Sequence, residues 1–107
     1  MRFAVRIVQL VGSLPNTRTV QMVGGQLVRS GTSVGSNYRP ACRARSRAEF
    51  LAKMGIVEEE ADESPYWMEL LIQSGHLKSE ELKPLIQEAN EILSLTVSSI
   101  RTARSRP

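Results

Sequence analysis

The sequence predicts an all-α protein, an antiparallel up-and-down four-helix bundle that forms a single domain over residues 1–107. Three observations support this prediction. Four stretches of the chain carry apolar residues at the three- and four-residue spacing of a helix. The breaks between these stretches are short, which favours antiparallel neighbours. The chain is also long enough to bury one modest hydrophobic core.

The first predicted helix spans about residues 2–14. A strand is the alternative, because Val5, Val8 and Val11 are β-branched. The helical template fits better than strict alternation does, and Pro15 then breaks the pattern. The residues that share the apolar face are Phe3, Ile7, Leu10 and Leu14.

Residues 17–43 give conflicting signals. Their glycines and serines are typical of a loop, yet the apolar residues keep a helical spacing. Each glycine costs a helix about 0.8–1 kcal/mol relative to alanine, so a helix here requires close packing against a neighbouring backbone. We predict a second helix, with a loop as the alternative, an N-cap at Asn16 or Thr17, and a kink or stop at Pro40. Its predicted apolar face consists of Val20, Val23, Leu27, Val34, Tyr38 and Ala41.

A capping signal marks the third predicted helix, about residues 47–74. Ser46 and Glu49 have the spacing of a capping box at its start. Pro65 lies inside this helix and should bend it, because proline removes one backbone hydrogen bond. Gly75 suits the position that follows a helix C-terminus.

The fourth predicted helix spans about residues 79–103. Ser79, followed by two glutamates, is typical of a helix N-terminus. Apolar residues from Leu82 to Ile100 keep the helical spacing. The basic tail, residues 101–107, is expected to fray.

Charge is unevenly distributed along the chain, although the net charge is only +3. Residues 1–53 hold nine basic side chains and one acid, whereas residues 54–95 hold two basic side chains and ten acids. The first stretch is therefore +8, the second −8, and the tail adds +3. Basic groups concentrated around the connection between the second and third helices could bind phosphates with a salt-dependent affinity. The candidate nucleic-acid-binding residues are Arg39, Arg43, Arg45, Arg47 and Lys53.

The same basic residues have a structural alternative. The acidic run at residues 58–63 could pair with them, within one subunit or between subunits. Tyr38 is the one aromatic residue near the basic cluster, so any binding of RNA or DNA should be weakly sequence-selective. A nucleic-acid-binding module and a purely structural or protein-interaction module therefore both stay open.

The sequence offers little for catalysis or for binding a metal. Cys42 is the single cysteine and His76 the single histidine, which excludes internal disulfides, multi-cysteine zinc sites and di-iron bundle sites. The acidic run at residues 58–63 is better interpreted as a charged helix face than as a magnesium site. We expect a non-enzymatic protein with no catalytic residue, no metal and no cofactor.

A wide apolar band lies in the third predicted helix. Six of the seven residues from Tyr66 to Ile72 are apolar. A helix that packs against one core buries a single stripe, so this band predicts a second partner surface, and another copy of the chain is the simplest one. The candidate residues of this homo-oligomer interface are Tyr66, Trp67, Leu70 and Leu71.

Membrane insertion and secretion are not expected. No stretch approaches the roughly 18 apolar residues of a membrane span. The N-terminus has interrupted apolar residues and no clear cleavage site for a signal peptide. We therefore expect a cytoplasmic protein without a membrane partner.

Two segments carry a resemblance to a known family. They are LVRSGTSVGSNYR at residues 27–39 and RSRAEFLAKMGIVEEEADE at residues 45–63, and YWMELLI follows at residues 66–72. In this order they resemble the bacterial four-helix-bundle proteins encoded in intervening sequences of 23S ribosomal RNA genes. The resemblance covers nearly the whole chain and implies that the glycine- and serine-rich segment is helical.

The resemblance also implies an assembly and partners. Related structures form rings of five bundles, which implies a pentamer. A related branch is the accessory variability determinant of diversity-generating retroelements, which implies RNA, DNA, a reverse transcriptase or another nucleic-acid enzyme as partner. Family members carry further residues before the counterpart of Phe3, which implies a shortened first helix here and a true start upstream of Met1.

Overall fold

The structure, a computed structural model, describes residues 2–106 and contains four helices. No strand occurs among these residues, so the predicted all-α class is confirmed and the strand and loop alternatives are wrong. Each helix begins and ends within two residues of its predicted bounds. The helices are α1 (Arg2–Gly12), α2 (Arg18–Cys42), α3 (Arg47–Gln73) and α4 (Ser79–Ser105).

The helices pack in a cycle. Each contacts its neighbours in sequence, and α4 closes the cycle against α1. Among the described residues α1 and α3 do not pack together, so they lie diagonally across the bundle. The molecule is elongated, 50 × 20 × 19 Å. Because α1 has only 11 residues, about 16 Å of helix, it covers only part of the length of α2.

Local sequence signals set several helix ends, as predicted. Thr17 Oγ1 accepts a hydrogen bond from the Val20 N–H at 3.3 Å, which caps α2. Ser46 Oγ accepts one from the Glu49 N–H at 3.1 Å, which caps α3. Gly75 follows α3 with a left-handed φ of 84°, a conformation that favours glycine.

α4 begins at the predicted residue and ends two residues later than predicted. Ser79 is the first helical residue, and Lys78 before it makes no side-chain capping hydrogen bond. α4 continues as helix to Ser105, so most of the basic tail that was expected to fray is helical. Residue 107 of the predicted tail lies outside the described residues.

The prolines are accommodated without ending a helix. Pro40 lies two residues before the end of α2, and Pro65 lies buried inside α3. A proline near a helix C-terminus leaves only a short continuation after it, so the predicted stop at Pro40 is delayed to Cys42.

The core consists of two apolar clusters along the bundle axis. One is built around α1 and includes Ile7, Leu27 and Met68, and the other includes Met54 and Val57. Tyr38 was expected on the buried face of α2 but is 51% exposed. Its side chain lies at the open seam between α1 and α2, beside Ala4, and is not enclosed by the bundle.

Close packing by α1 explains two glycines in α2. A Cβ at Gly31 would lie 3.1 Å from two carbons of Ile7, and a Cβ at Gly24 would lie 2.9 Å from Val11 Cγ1. The close neighbours are therefore side chains of α1 rather than the predicted backbone. Larger residues at these two positions would push α1 away from the bundle.

None of the four helices, over residues 2–106, combines the length and the apolar character needed to cross a bilayer.

Candidate functional site

The antiparallel topology gathers basic residues at one end of the bundle. α2 and α4 end there, and α3 begins there. Residues distant in sequence therefore meet, as where the Arg47 guanidinium donates a hydrogen bond to the Arg106 carbonyl. We call this set the basic end: Arg39, Arg43, Arg45, Arg47, Lys53, Arg101, Arg104 and Arg106.

The side chains of the basic end have no carboxylate partner within residues 2–106. All are exposed except Lys53, which is half-buried. Glu49 is the one acid in the same part of the chain, and its Oε2 accepts a hydrogen bond from the Arg45 backbone N–H at 3.1 Å. That carboxylate caps the start of α3 instead of neutralising a guanidinium, so the positive charge stays available to an external anion.

Arg29 shows how an arginine is used structurally in the same fold. Its Nη1 lies 3.0 Å from Glu60 Oε2 and its Nη2 lies 2.6 Å from Glu63 Oε1, which joins α2 to α3. Trp67 Nε1 donates to Glu63 Oε1 at 3.0 Å. We call this group the Arg29 bridge. It pairs an arginine with the acidic run of α3 within one subunit, but Arg29 is not one of the five basic residues, Arg39 to Lys53, for which the sequence left such pairing open.

The Arg29 bridge shifts the ionisation of its members. The hydrogen bond from Arg29 lowers the pKa of the Glu63 carboxyl below its ordinary value. The same hydrogen bond raises the pKa of the Arg29 guanidinium. Both shifts favour the ion pair at neutral pH.

The apolar band predicted as an oligomer interface divides into two faces. Tyr66 is 57% exposed and Leu70 is exposed, while Trp67 is half-buried with its ring centroid 4.9 Å from that of Tyr66. Leu71 is 1% exposed and belongs to the core, so its assignment to the interface is wrong. Seven consecutive helical residues span about two turns, so part of any such band must face inward.

The exposed part of this band continues along α3 with acidic residues. Positions three and four residues apart share one face of a helix, and these positions of α3 lie away from the core. We call this stripe the α3 outer face: Ile56, Glu59, Asp62, Tyr66 and Leu70.

A second surface lies along the seam between α1 and the later part of α2. It is a groove of about 1130 Å³. Val5 and Val8 of α1 line one wall and are 44% and 48% exposed. Tyr38 and Arg39 of α2 and Arg43, which follows α2, line the other wall, and Glu49 of α3 also lies in the lining. We call it the α1–α2 groove.

Ser74 and His76 form a serine–histidine contact at the end of α3. Ser74 Oγ lies 2.9 Å from His76 Nδ1 and donates to the Leu70 carbonyl at 2.7 Å. Because its proton bonds to a helix carbonyl, the hydroxyl closes the helix end and is not an activated nucleophile. In the described part of the chain, no three or more His, Cys, Asp or Glu residues are grouped so as to hold a metal ion.

Comparison with known proteins identifies the family of this chain. The model of the 23S rRNA-intervening sequence protein family matches residues 1–98. The chain belongs to that family. This confirms the resemblance drawn from the sequence.

The chain is also similar to a protein whose structure has been solved. That structure is of a protein with unknown function from the S23 ribosomal protein family of Bacteroides thetaiotaomicron VPI-5482. The two chains are 41% identical, 92% of each chain is covered, and the TM-score is 0.86. No curated protein matches the chain significantly.

Three arginines of the basic end lie beyond the residues that the family model matches. Arg101, Arg104 and Arg106 follow residue 98 and are not among the candidates that spacing along the chain singles out. The predicted up-and-down topology could have identified these three arginines as part of the basic end. In an up-and-down bundle, the second and fourth helices end on the same side.

Proposed function

We propose that this 23S rRNA-intervening sequence protein is a non-enzymatic, self-associating helical bundle that binds the phosphate backbone of RNA or DNA through its basic end. One observation carries the proposal. The eight basic side chains of that end have no carboxylate partner among residues 2–106, whereas Arg29 has two. Cations concentrated on one surface repel each other and attract a polyanion.

Phosphate contacts would supply most of the affinity. Arg45, Arg47 and Lys53 lie near the turn between α2 and α3, and the arginines of α4 extend the same surface. Arg39 and Arg43 lie at its edge, beside the α1–α2 groove. Guanidinium groups bind phosphate in a bidentate manner, and each contact releases counterions, so the affinity should fall steeply with salt.

Weak sequence preference is expected. Phe50 is half-buried near the basic end, which leaves Tyr38 as the exposed aromatic side chain beside it. One aromatic ring does not form a platform on which successive bases stack. Backbone contacts position a nucleic acid but do not read its sequence.

The test measures binding of labelled RNA and DNA oligonucleotides by fluorescence anisotropy between 50 and 200 mM salt, the range in which phosphate-dominated affinity changes by orders of magnitude, roughly 10³–10⁵ for 6–10 contacts. The variant Arg45→Ala/Arg47→Ala/Arg104→Ala should bind at least about tenfold more weakly, with a salt slope smaller by about one per lost contact. All three side chains are exposed, so the fold should be retained.

A matched control variant removes three positive charges at the other end of the bundle. Arg18, Lys78 and Lys83 are exposed at the opposite end of the bundle, where α2 and α4 begin. The variant Arg18→Ala/Lys78→Ala/Lys83→Ala should bind nearly as well as the unmodified protein. Binding that is absent, insensitive to salt or equally weakened in both variants would refute the basic end as the site.

Self-association belongs to the same proposal. The support is Tyr66 and Leu70, two large apolar side chains exposed side by side on α3. A ring is expected, of five copies as the resemblance implies. Light scattering after size exclusion should give a multiple of the 11.9 kDa chain mass. The variant Tyr66→Ser/Leu70→Ser should shift the measured mass towards that of the monomer. The variant Gln87→Ser/Asn90→Ser, on the exposed side of α4, should leave the mass unchanged.

A second candidate function is a protein-interaction module that does not bind nucleic acid. It is favoured by Glu59 and Asp62, which are exposed and form no salt bridge in the described part of the chain. In that case the basic end would pair with these acids of another subunit. Arg45→Glu should then weaken the oligomer, and an intact oligomer in this variant would count against the module.

A further inference from the structure

We propose that the α3 outer face of one copy docks into the α1–α2 groove of a second copy, so that the contact is head-to-tail rather than symmetric. This inference rests on the self-association proposed above. It adds the surface that receives α3.

The first support is the apolar match between the two surfaces. The groove presents Val5 and Val8, valines of α1 that are almost half exposed. The α3 outer face presents Ile56 and Tyr66, which are 38% and 57% exposed. Isolated exposed apolar residues are ordinary, but here each surface holds several on one helix face.

The second support is charge complementarity. The groove is bordered by Arg39 and Arg43, and the α3 outer face carries Glu59 and Asp62. The two arginines outnumber the one acid of the groove lining, Glu49, whose carboxylate accepts the Arg45 backbone N–H. The two arginines and the two acids of the α3 outer face are exposed, and none of them has a salt-bridge partner in the described residues. Complementary charges around an apolar contact fix its register and exclude wrong partners.

The lengths of the two surfaces also allow the contact. The α3 outer face runs from Ile56 to Leu70, 15 residues of helix, about 21 Å from first to last at 1.5 Å per residue. The groove wall on the α2 side runs from Thr32 to Arg43, 12 residues, or about 16 Å. The groove can therefore receive about three of the four turns of the face.

The position of the two surfaces excludes contact within one molecule. α1 and α3 lie diagonally across the bundle and do not pack together in the described structure. A copy that uses its α3 outer face still has an empty α1–α2 groove for the next copy. Such a heterologous contact generates a closed ring when its rotation closes, and a filament when it does not.

The basic end is thereby divided between two tasks. Arg39 and Arg43 border the groove, so they would pair with the α3 outer face of the neighbouring copy. Arg45, Arg47 and the arginines of α4 lie outside the groove and stay available for phosphates. Nucleic-acid binding can therefore be tested separately from docking.

The experiment uses two charge-reversed variants of the full chain. The groove variant is Arg39→Glu/Arg43→Glu, and the face variant is Glu59→Arg/Asp62→Arg. In each variant alone, like charges would meet across the contact. Analytical ultracentrifugation should show that the dissociation constant of each rises at least tenfold, with unchanged far-UV circular dichroism.

Mixing the two variants gives the decisive result. The acidic α3 of the groove variant fits the basic groove of the face variant, and the reversed pair is complementary as well. An equimolar mixture should therefore associate at least tenfold more tightly than either variant alone. Full recovery is not required, because strictly alternating copies cannot close a ring of five and one contact of such a ring stays like-charged. A symmetric contact of α3 with α3 would leave the groove variant fully associated, and that result would overturn the proposal.

Control variants carry the same charge changes elsewhere. Lys78→Glu/Lys83→Glu and Glu80→Arg/Glu91→Arg change exposed residues outside both surfaces and should associate normally. If the unmodified protein is monomeric at every concentration, the proposed self-association itself fails. If it associates but the mixture stays dissociated, only the docking of α3 into the groove fails.

Discussion

The Arg29 bridge and the basic end use the same residue type for opposite purposes. Arg29 lies midway along α2, where two carboxylates of α3 reach it within hydrogen-bonding distance. The arginines of the basic end lie where helices end, and Glu49 there is turned towards the Arg45 backbone. An arginine in the middle of a bundle meets a neighbouring helix, whereas an arginine at the end meets solvent.

The two regions also differ in packing. Near the Arg29 bridge, Ser30 and Ser64 are fully buried and Ser64 Oγ lies 3.2 Å from Ser30 Oγ, so α2 and α3 approach closely. α1 covers this part of α2 from another side. Towards the basic end the packing is more open, and Tyr38 and Leu95 stand exposed. The middle of the bundle therefore holds the fold together, while the basic end presents a surface.

The largest expected effect contrasts two identical substitutions. Leu27→Ala, in the middle, removes a side chain that is 0% exposed, and should lower the free energy of unfolding by about 2–5 kcal/mol. Leu95→Ala, near the basic end, changes a side chain that is 69% exposed, and should change it by less than about 0.5 kcal/mol. Urea denaturation followed by circular dichroism measures both free-energy changes. Similar losses of stability in the two variants would contradict the difference between the middle of the bundle and the basic end.

Two glycines of α2 should respond with opposite signs. A methyl group at Gly31 would lie 3.1 Å from the buried Ile7, and such overpacking costs about 1–3 kcal/mol. This outweighs the gain in helix propensity, so Gly31→Ala should destabilise. A Cβ at Gly25 meets nothing within 4 Å, so Gly25→Ala should stabilise by up to about 1 kcal/mol. Thermal denaturation of both variants checks the two signs.

Substitutions of Arg29 and Arg45 should separate an effect on folding stability from an effect on nucleic-acid binding. Arg29→Ala removes two partly exposed ion pairs and should lower folding stability modestly without weakening nucleic-acid binding. Arg45→Ala should leave stability within about 0.5 kcal/mol and weaken that binding. Urea denaturation and fluorescence anisotropy of both variants test whether the first loses stability and the second loses binding. Loss of binding in Arg29→Ala at native conditions would place the site in the middle of the bundle.

The stabilisation from the Arg29 bridge should depend on pH. Because Arg29 lowers the pKa of Glu63 in the folded protein, the stabilisation is fully present above the ordinary glutamate pKa. It is lost as the pH falls through the lowered folded value. The stability difference between the unmodified protein and Arg29→Ala should therefore shrink below about pH 4. A difference that stays constant from pH 7 to pH 3 would contradict the pairing.

The smallest expected effect is spectroscopic. Trp67 is the single tryptophan, and its Nε1 donates to Glu63. Protonation of Glu63 weakens this hydrogen bond, so the fluorescence of Trp67 should change in the same acidic range while the protein is still folded. Glu63→Gln should abolish this transition, and Glu69→Gln, at an exposed position on α3, should retain it.

Much of the fold could be predicted because its signals are local. Thr17, Ser46 and Gly75 set helix ends by hydrogen bonds or backbone conformation within a few residues of themselves. The apolar spacing then identified the faces of the helices. The same reasoning placed Leu71 at an interface and Tyr38 in the core, both wrongly. Helical spacing gives the direction of a side chain but not whether a neighbouring helix reaches that level.

The candidate site was predicted only in part. Five members of the basic end are close in sequence, from Arg39 to Lys53, and clustering along the chain is visible without a structure. Arg104 and Arg106 join them only because α4 returns antiparallel to α3 and stays helical to Ser105. The α1–α2 groove was missed altogether, because its lining comes from α1, α2 and residues beyond them and belongs to no single element.

The sequence by itself determined four helices, their caps and a polarised charge distribution, since these depend on neighbouring residues and on spacing. Only the tertiary structure decided which charges are neutralised. Arg29 is paired because α2 and α3 pack closely at its level. Within residues 2–106 the basic end has no carboxylate partner, because its helices end there with no acidic side chain opposite. Ion pairing depends on distances of a few ångströms between elements that are far apart in the chain, and spacing along one helix cannot supply those distances.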